Sequence, residues 1–316
     1  MTPSSTPTHA PAPRLLVCDR AQTAKLLDFN ALVNAVAKIA LEYDAGQVAS
    51  PERMVVPLGP GGVLLSMPAT AEDIGIHKLV TVQPANATRH LPTLHGAVTV
   101  CDAATGQLLC LLDGPEVTGR RTAAVTLLAI RALLGSPPAE VLIIGTGVQA
   151  HYHVQAINAL HPECRVWVRG SNPVRTEAFC AQVRPVHPDT AACPAQVPEE
   201  VDAVITVTTS TEPVYNEPAL SKRVVVGVGA FKPEMAEIGK VTLDGSVLYA
   251  DDPVGARHEA GDLMRAGVDW NAVQSLASLL RKGPDRTRPS VFKSVGTAAW
   301  DLAAARVALA ALGNAP

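Results

Sequence analysis

A dinucleotide-binding turn is written into the segment Val141-Leu-Ile-Ile-Gly-Thr-Gly-Val-Gln-Ala150. Four branched apolar residues, Val141 to Ile144, suit a strand buried on both faces, and an amphipathic run follows from Ala150. In the Gly145-x-Gly147-x-x-Ala150 pattern the first glycine allows a tight turn and the second a close backbone approach to a pyrophosphate. The alanine allows helix and strand to pack closely. Thr146, Val148 and Gln149 complete the turn, and the helix start offers free N–H groups to an anion. The next strand, Arg165 to Val168, ends without the carboxylate that usually holds a ribose 2′-hydroxyl. Arg169, Ser171, Asn172 and Arg175 stand there instead, a set suited to a 2′-phosphate. The expected cofactor is therefore NADP(H) in preference to NAD(H).

The elements that must carry this turn follow from the pattern of apolar residues. A helical run spans Thr23 to Tyr43, after a short strand at Leu15 to Val17. Strand-like segments follow at Arg53–Val56, Val63–Met67, Ile74–Val82, Gly96–Cys101 and Gln107–Leu112, separated by Gly-rich turns and antiparallel in character. A helix from Thr118 to Leu134 ends at Gly135-Ser-Pro-Pro138. Beyond it strands and helices alternate (Val141–Ile144, Arg165–Val168, Ala203–Thr206, Val224–Val228, Val247–Ala250), the mark of a parallel sheet covered by helices. An Ala-rich helix, Thr297 to Leu312, closes the chain. The expected fold is α/β: a Rossmann-type doubly wound sheet over residues 118–297. Residues 14–117 with 298–316 form a β-rich α+β substrate-binding and dimerisation part, and residues 1–13 a disordered tail.

Composition narrows the function. The 316 residues are 47% hydrophobic and only 3% aromatic, with a formal net charge of -3. That balance gives no electrostatic reason to expect nucleic acid or an anionic membrane as partner. No apolar run reaches the length of a membrane span and no signal peptide is visible, so a cytoplasmic protein is expected. The six cysteines have no metal-ligand spacing and read as reduced thiols; no metal is expected.

Several segments together resemble the ornithine cyclodeaminase/mu-crystallin family: Lys78-Leu-Val-Thr81, Leu91-Pro-Thr-Leu-His-Gly96, Asp113-Gly114 with Thr118-Gly-Arg-Arg-Thr-Ala-Ala124, Gly145-Thr-Gly147, and Phe292-Lys-Ser-Val-Gly296. The resemblance implies a homodimer whose subunits join a substrate and dimerisation region to a Rossmann region. It places Arg53, Lys78 and Arg121 at a substrate carboxylate, with Lys78, Thr93 and Arg121 as the catalytic set. Val295 and Gly296 match the segment that approaches the nicotinamide, and Thr208 joins the cofactor-binding set. Read on their own, Lys78 lies in an apolar strand where a solvent-facing lysine is ordinary. Arg121 is expected to open a helix, where a bound carboxylate would offset its repulsion by the dipole. His95 reads as a structural histidine.

Departures from the cyclodeaminases refine the expected chemistry. Ala230 or Phe231 falls where those enzymes carry an Asp, and Leu65 where they carry a Glu before the Met-Pro pair, here Met67-Pro68. A site for ornithine needs carboxylates for its distal ammonium. The segment Val228-Gly-Ala-Phe-Lys-Pro-Glu-Met235 instead resembles the ketimine and pyrroline-2-carboxylate reductases of the family. That resemblance implies NAD(P)H-dependent reduction of a cyclic ketimine acid, Δ1-pyrroline-2-carboxylate or Δ1-piperideine-2-carboxylate, to L-proline or L-pipecolate. Ornithine cyclodeaminase and an NADPH-dependent small-molecule carrier of mu-crystallin type are the alternatives.

Overall fold

Branched residues that alternate between two buried faces build the sheet that carries the Gly-rich turn. The computed structural model describes residues 15–313, so the expected disordered tail lies outside the described residues. The chain begins with β1 (Leu16–Val17), α1 (Arg20–Leu26) and α2 (Phe29–Asp44). Next come β2 (Met54–Leu58), β3 (Gly62–Thr70), β4 (Ile74–Val82), β5 (Leu94–Asp102) and β6 (Leu108–Asp113). These strands form a six-stranded sheet in the order β1-β6-β5-β4-β3-β2, antiparallel except for the β1–β6 pair.

The long helix α3 (Gly114–Leu134) leads from this sheet to β7 (Glu140–Ile144), α4 (Val148–Leu160), β8 (Arg165–Arg169), α5 (Pro173–Val183) and β9 (Thr190–Ala192). The chain continues through β10 (Ala203–Thr206), β11 (Val224–Gly227), α6 (Lys240–Asp244), β12 (Val247–Ala250), α7 (Pro253–Glu259) and α8 (Gly261–Ala266). It ends with β13 (Gln274–Ser275), α9 (Leu276–Lys282), β14 (Ser290–Lys293) and α10 (Ala298–Gly313). The eight strands from β7 onward are all parallel, in the order β13-β12-β14-β11-β10-β7-β8-β9. This is the expected doubly wound, Rossmann-type sheet, with its reversal of strand order between β7 and β10. Val141 and Ile143 join one core while Leu142 and Ile144 join the other, so β7 is buried on both sides. The first core continues without a break into the β3–β6 sheet and α10, which packs on α2, α3, β3 and β4.

Three expectations are corrected. The helix expected over Thr23–Tyr43 is two helices, because the Asp28 side chain accepts the Ala31 N–H and starts a new one. The helix expected from Thr118 begins at Gly114, where Asp113 caps it through the Glu116 N–H. The segment Ser290–Lys293, to which no strand was assigned from the sequence, is β14, inserted between β11 and β12.

Candidate active site

The two sheets meet around a cavity lined by residues from both. Leu65 and Met67 come from β3, Lys78, Val80 and Val82 from β4, and Thr118, Arg121 and Thr122 from α3. The parallel sheet adds Gln149, Val228, Gly229, Phe231, Ser294 and Val295. The walls are mostly aliphatic; Leu65 belongs to them, and so does Phe231, which with Ala230 marks where the second cyclodeaminase acid would fall.

The charged groups lie together at one side. Lys78 is 2% exposed and its Nζ stands 2.5 Å from Oδ2 of Asp301, a residue of α10 with no exposure at all. Arg121 donates from Nε to Asp301 Oδ1 at 3.1 Å, while its Nη atoms make no hydrogen bond among the described residues. The Lys78 contact is a close ion pair rather than an aligned hydrogen bond, since Oδ2 has no partner of good geometry. Burial, aided by the Arg121 charge, pushes the Lys78 ammonium down to about 8 against the upward pull of Asp301. Lys78 is thus the inward, buried lysine and not the solvent-facing one. Arg121 sits about two turns into α3 and not at its start, where the helix dipole acts on it little, and Asp301 matches its charge.

Arg53 reaches the cavity from just before β2, and two of its three nitrogens are engaged. Nε pairs with Glu259 at 2.8 Å, and Nη2 donates to the carbonyls of Val295 and Gly296. Glu259 is pushed up to about 7 by burial, with Arg53 pulling the other way and Asp251, Glu52 and Asp252 adding to the rise. Thr93 is not brought to the cavity: it is exposed, and its carbonyl accepts the Gln83 N–H. His95 is exposed as well.

The turn at Ser294–Gly296 is held from behind by Asp251, at the end of β12. Its carboxylate accepts Ser294 Oγ, the N–H groups of Val295 and Gly296, and Trp300 Nε1, between 2.8 and 3.2 Å. Gly296 has φ +81°, and a Cβ there would stand 2.8 Å from Arg121 Nη1. Glu237 has the same role at the crevice of the parallel sheet, accepting from Thr208 N and Oγ1 and from the N–H groups of Gly229 and Ala230. Asp301, Asp251 and Glu237 were all missed in the sequence, where no motif marks any of them as a site residue.

Beside this cavity, at the reversal of strand order, a crevice is lined by Gly145, Thr146, Gly147, Arg169, Gly170, Ser171, Arg175, Val207, Thr208 and Ser210. Gly145 has φ +130°, and a Cβ would fall 2.7 Å from the Val207 carbonyl. Gly147 caps α4 without any side-chain bond, leaving its first N–H groups open to an anion. Val148 is exposed beside it and Ala150 is buried against the sheet. The residues present fit a dinucleotide. Arg169 lines the crevice while its Nη2 donates to the carbonyls of Pro194 and Ala195. Asn172 is used differently: its Oδ1 caps α5 through the N–H groups of Val174 and Arg175. Among the described residues there is no cluster of side chains that could hold a metal, and no helix is long and apolar enough to cross a membrane.

The sequence model of the ornithine cyclodeaminase/mu-crystallin family matches residues 15–312. The chain belongs to this family. It is 52% identical over 300 residues to Delta(1)-pyrroline-2-carboxylate reductase 2 of Burkholderia ambifaria, covering 95% of this chain and 96% of the relative. It is equally, 52%, identical over 297 residues to the Delta(1)-pyrroline-2-carboxylate/Delta(1)-piperideine-2-carboxylate reductase of Azospirillum brasilense, covering 94% and 96%. Among solved structures, Thermococcus litoralis Delta(1)-pyrroline-2-carboxylate reductase in complex with NADH and L-proline superposes with a TM-score of 0.84 at 25% identity, over 94% of this chain and 97% of that one.

Proposed function

We propose that the protein is an NAD(P)H-dependent reductase of cyclic ketimine acids, converting Δ1-pyrroline-2-carboxylate or Δ1-piperideine-2-carboxylate to L-proline or L-pipecolate. The observation that carries this reading is a cavity with Lys78 and Arg121 on one buried carboxylate and aliphatic walls elsewhere. The names of relatives that are 52% identical over nearly their whole length support it.

The chemistry follows from the groups. The free Nη side of Arg121 offers two parallel N–H donors to the substrate carboxylate, with Asp301 fixing the guanidinium from behind. The positive charge of Lys78 adds to that field. An imine carbon becomes a good hydride acceptor only when its nitrogen is protonated, and a Lys78 ammonium with a pKa of about 8 can give that proton near neutral pH. The cofactor supplies one hydride to the imine carbon. The π pair of the C=N bond then moves to nitrogen, leaving a secondary amine, and Lys78 regains its proton from solvent. Leu65, Val80, Val228 and Phe231 keep water away and provide no carboxylate for a second amine, so ring-closed substrates are favoured over ornithine.

Arg169, Ser171 and Arg175 at the crevice rim favour NADP(H), with NAD(H) as the weaker cofactor. The division of labour follows the sheets: the six-stranded sheet with α10 binds substrate and a second subunit, and the parallel sheet binds the dinucleotide. The protein works as a cytoplasmic homodimer; its six cysteines are free thiols, as a reducing compartment requires.

Arg121→Ala tests the reading. Removing a charged partner from a desolvated carboxylate costs about 2–5 kcal/mol, so imine reduction should fall by a factor on the order of 30 or more. The dissociation constant of NADPH should stay within a few-fold of its original value. Undiminished kcat/KM for the imine would contradict the assignment.

A further inference from the structure

The cavity contains a hydroxyl with nothing to bond to. On α3, Thr118, Arg121 and Thr122 share one face, and all three line the cavity. Thr122 Oγ1 donates to the Thr118 carbonyl at 2.6 Å, and Thr126, one turn on, donates to the Thr122 carbonyl at 3.2 Å and meets His153 Nε2 at 3.0 Å. Thr118 departs from this ladder. Its Oγ1 is buried and has no hydrogen-bond partner among the described residues. A buried hydroxyl left unpaired is unfavourable, and folded proteins keep such groups where a ligand satisfies them. Among the described residues that line the cavity, Gln149 Oε1 is unpaired as well, but it lies in the first turn of α4, beside the Gly-rich motif on the dinucleotide side.

We propose that Thr118 is a further substrate-contacting residue, whose Oγ1 accepts the N–H of the substrate's ring nitrogen. This rests on the reductase reading above. With the carboxylate on Arg121, a neighbouring side chain on the same helix face lies within reach of the ring atom next to the carboxylate-bearing carbon. An oxygen acceptor there favours the protonated, electrophilic form of the imine and holds it in one orientation. It also disfavours a ring that carries oxygen instead of N–H, since two acceptors would then face each other in a dry cavity.

The test uses two planar probes of nearly the same shape, pyrrole-2-carboxylate with an N–H and furan-2-carboxylate with a ring oxygen, as inhibitors of Δ1-pyrroline-2-carboxylate reduction. The wild-type protein should bind the pyrrole about 10-fold or more tightly than the furan, the range a single buried hydrogen bond provides. Thr118→Val keeps the shape and removes the hydroxyl. It should bind the two probes alike, lose about 10-fold in kcat/KM, and melt no lower than wild type because an unpaired polar group has been removed. Thr118→Ser should restore the preference. Equal affinities in the wild type, or an unchanged preference in Thr118→Val, overturn the role of Thr118 alone. Failure of the wild type to reduce any cyclic imine overturns the reductase reading as well.

Discussion

Asp301 determines how Lys78 and Arg121 behave. It is fully buried and holds both cations, so the three groups form one unit with a single net positive charge. Because Lys78 is pushed down to about 8, its proton-donating form is abundant below that pH and lost above it. Imine reduction should therefore decline as pH rises through about 8, while the reverse oxidation, which needs the neutral amine as acceptor, should rise. Asp301→Asn removes the one neighbour that raises the Lys78 pKa, so the alkaline limb of the reduction profile should move to lower pH. It should also destabilise the protein by about 3–5 kcal/mol, as expected when a buried ionic network loses one member. A pH profile of kcat/KM with a limb at the wild-type position would contradict this account of Lys78. None of the arrangement was legible locally. Asp301 is separated from Arg121 by 180 positions and sits among alanines, where no periodic pattern marks it as a site residue. Lys78 and Arg121 were legible through family resemblance, whereas Thr93, placed on the same basis, stays exposed outside the cavity.

At the scale of elements, β14 and the turn after it join cofactor crevice and substrate cavity. The strand runs down the middle of the parallel sheet, and Asp251 at the end of neighbouring β12 fixes residues 294–296 against Arg121 and Arg53. Gly296→Ala should disturb this in two ways, through its positive φ and through a Cβ 2.8 Å from Arg121 Nη1. The expected result is a rise in KM for the imine on the order of 10-fold, from a displaced Arg121, with NADPH affinity changed much less; an unaltered KM would mean that Arg121 does not depend on this turn. The strands β7, β8, β10, β11 and β12 were readable because they are runs of branched residues between helical patterns. β14 was not, because it is four residues long and ends in Lys293, whose charge is neutralised out of sight by Asp262. The break between α1 and α2 was hidden for a similar reason: Leu27 and Phe29 keep the apolar spacing going on either side of Asp28, and only the cap itself ends the first helix.

Across the whole molecule, the six-stranded sheet is covered by α3 and α10 on one face, with α2 packed on those helices. Met54, Val56 and Leu58 of β2 and Leu79 of β4 are exposed on the same face, and large apolar side chains gathered on one surface normally mark an interface. The proposed homodimer places this face against its counterpart. Leu79→Glu leaves the core untouched, since the neighbouring Lys78 and Val80 point inward, but puts a charge into the joint. In sedimentation velocity the wild type should run as a dimer and Leu79→Glu as a monomer; a monomeric wild type, or a variant that still dimerises, would remove the proposal.

The most direct measurement is the initial rate of NADPH oxidation by the wild-type protein with Δ1-pyrroline-2-carboxylate, followed by identification of the product, with NADH and L-ornithine in parallel. The expected outcome is stoichiometric L-proline, faster turnover with NADPH than with NADH, and no ammonia release from ornithine. Robust ammonia release from ornithine together with a negligible rate on the cyclic imine would contradict it.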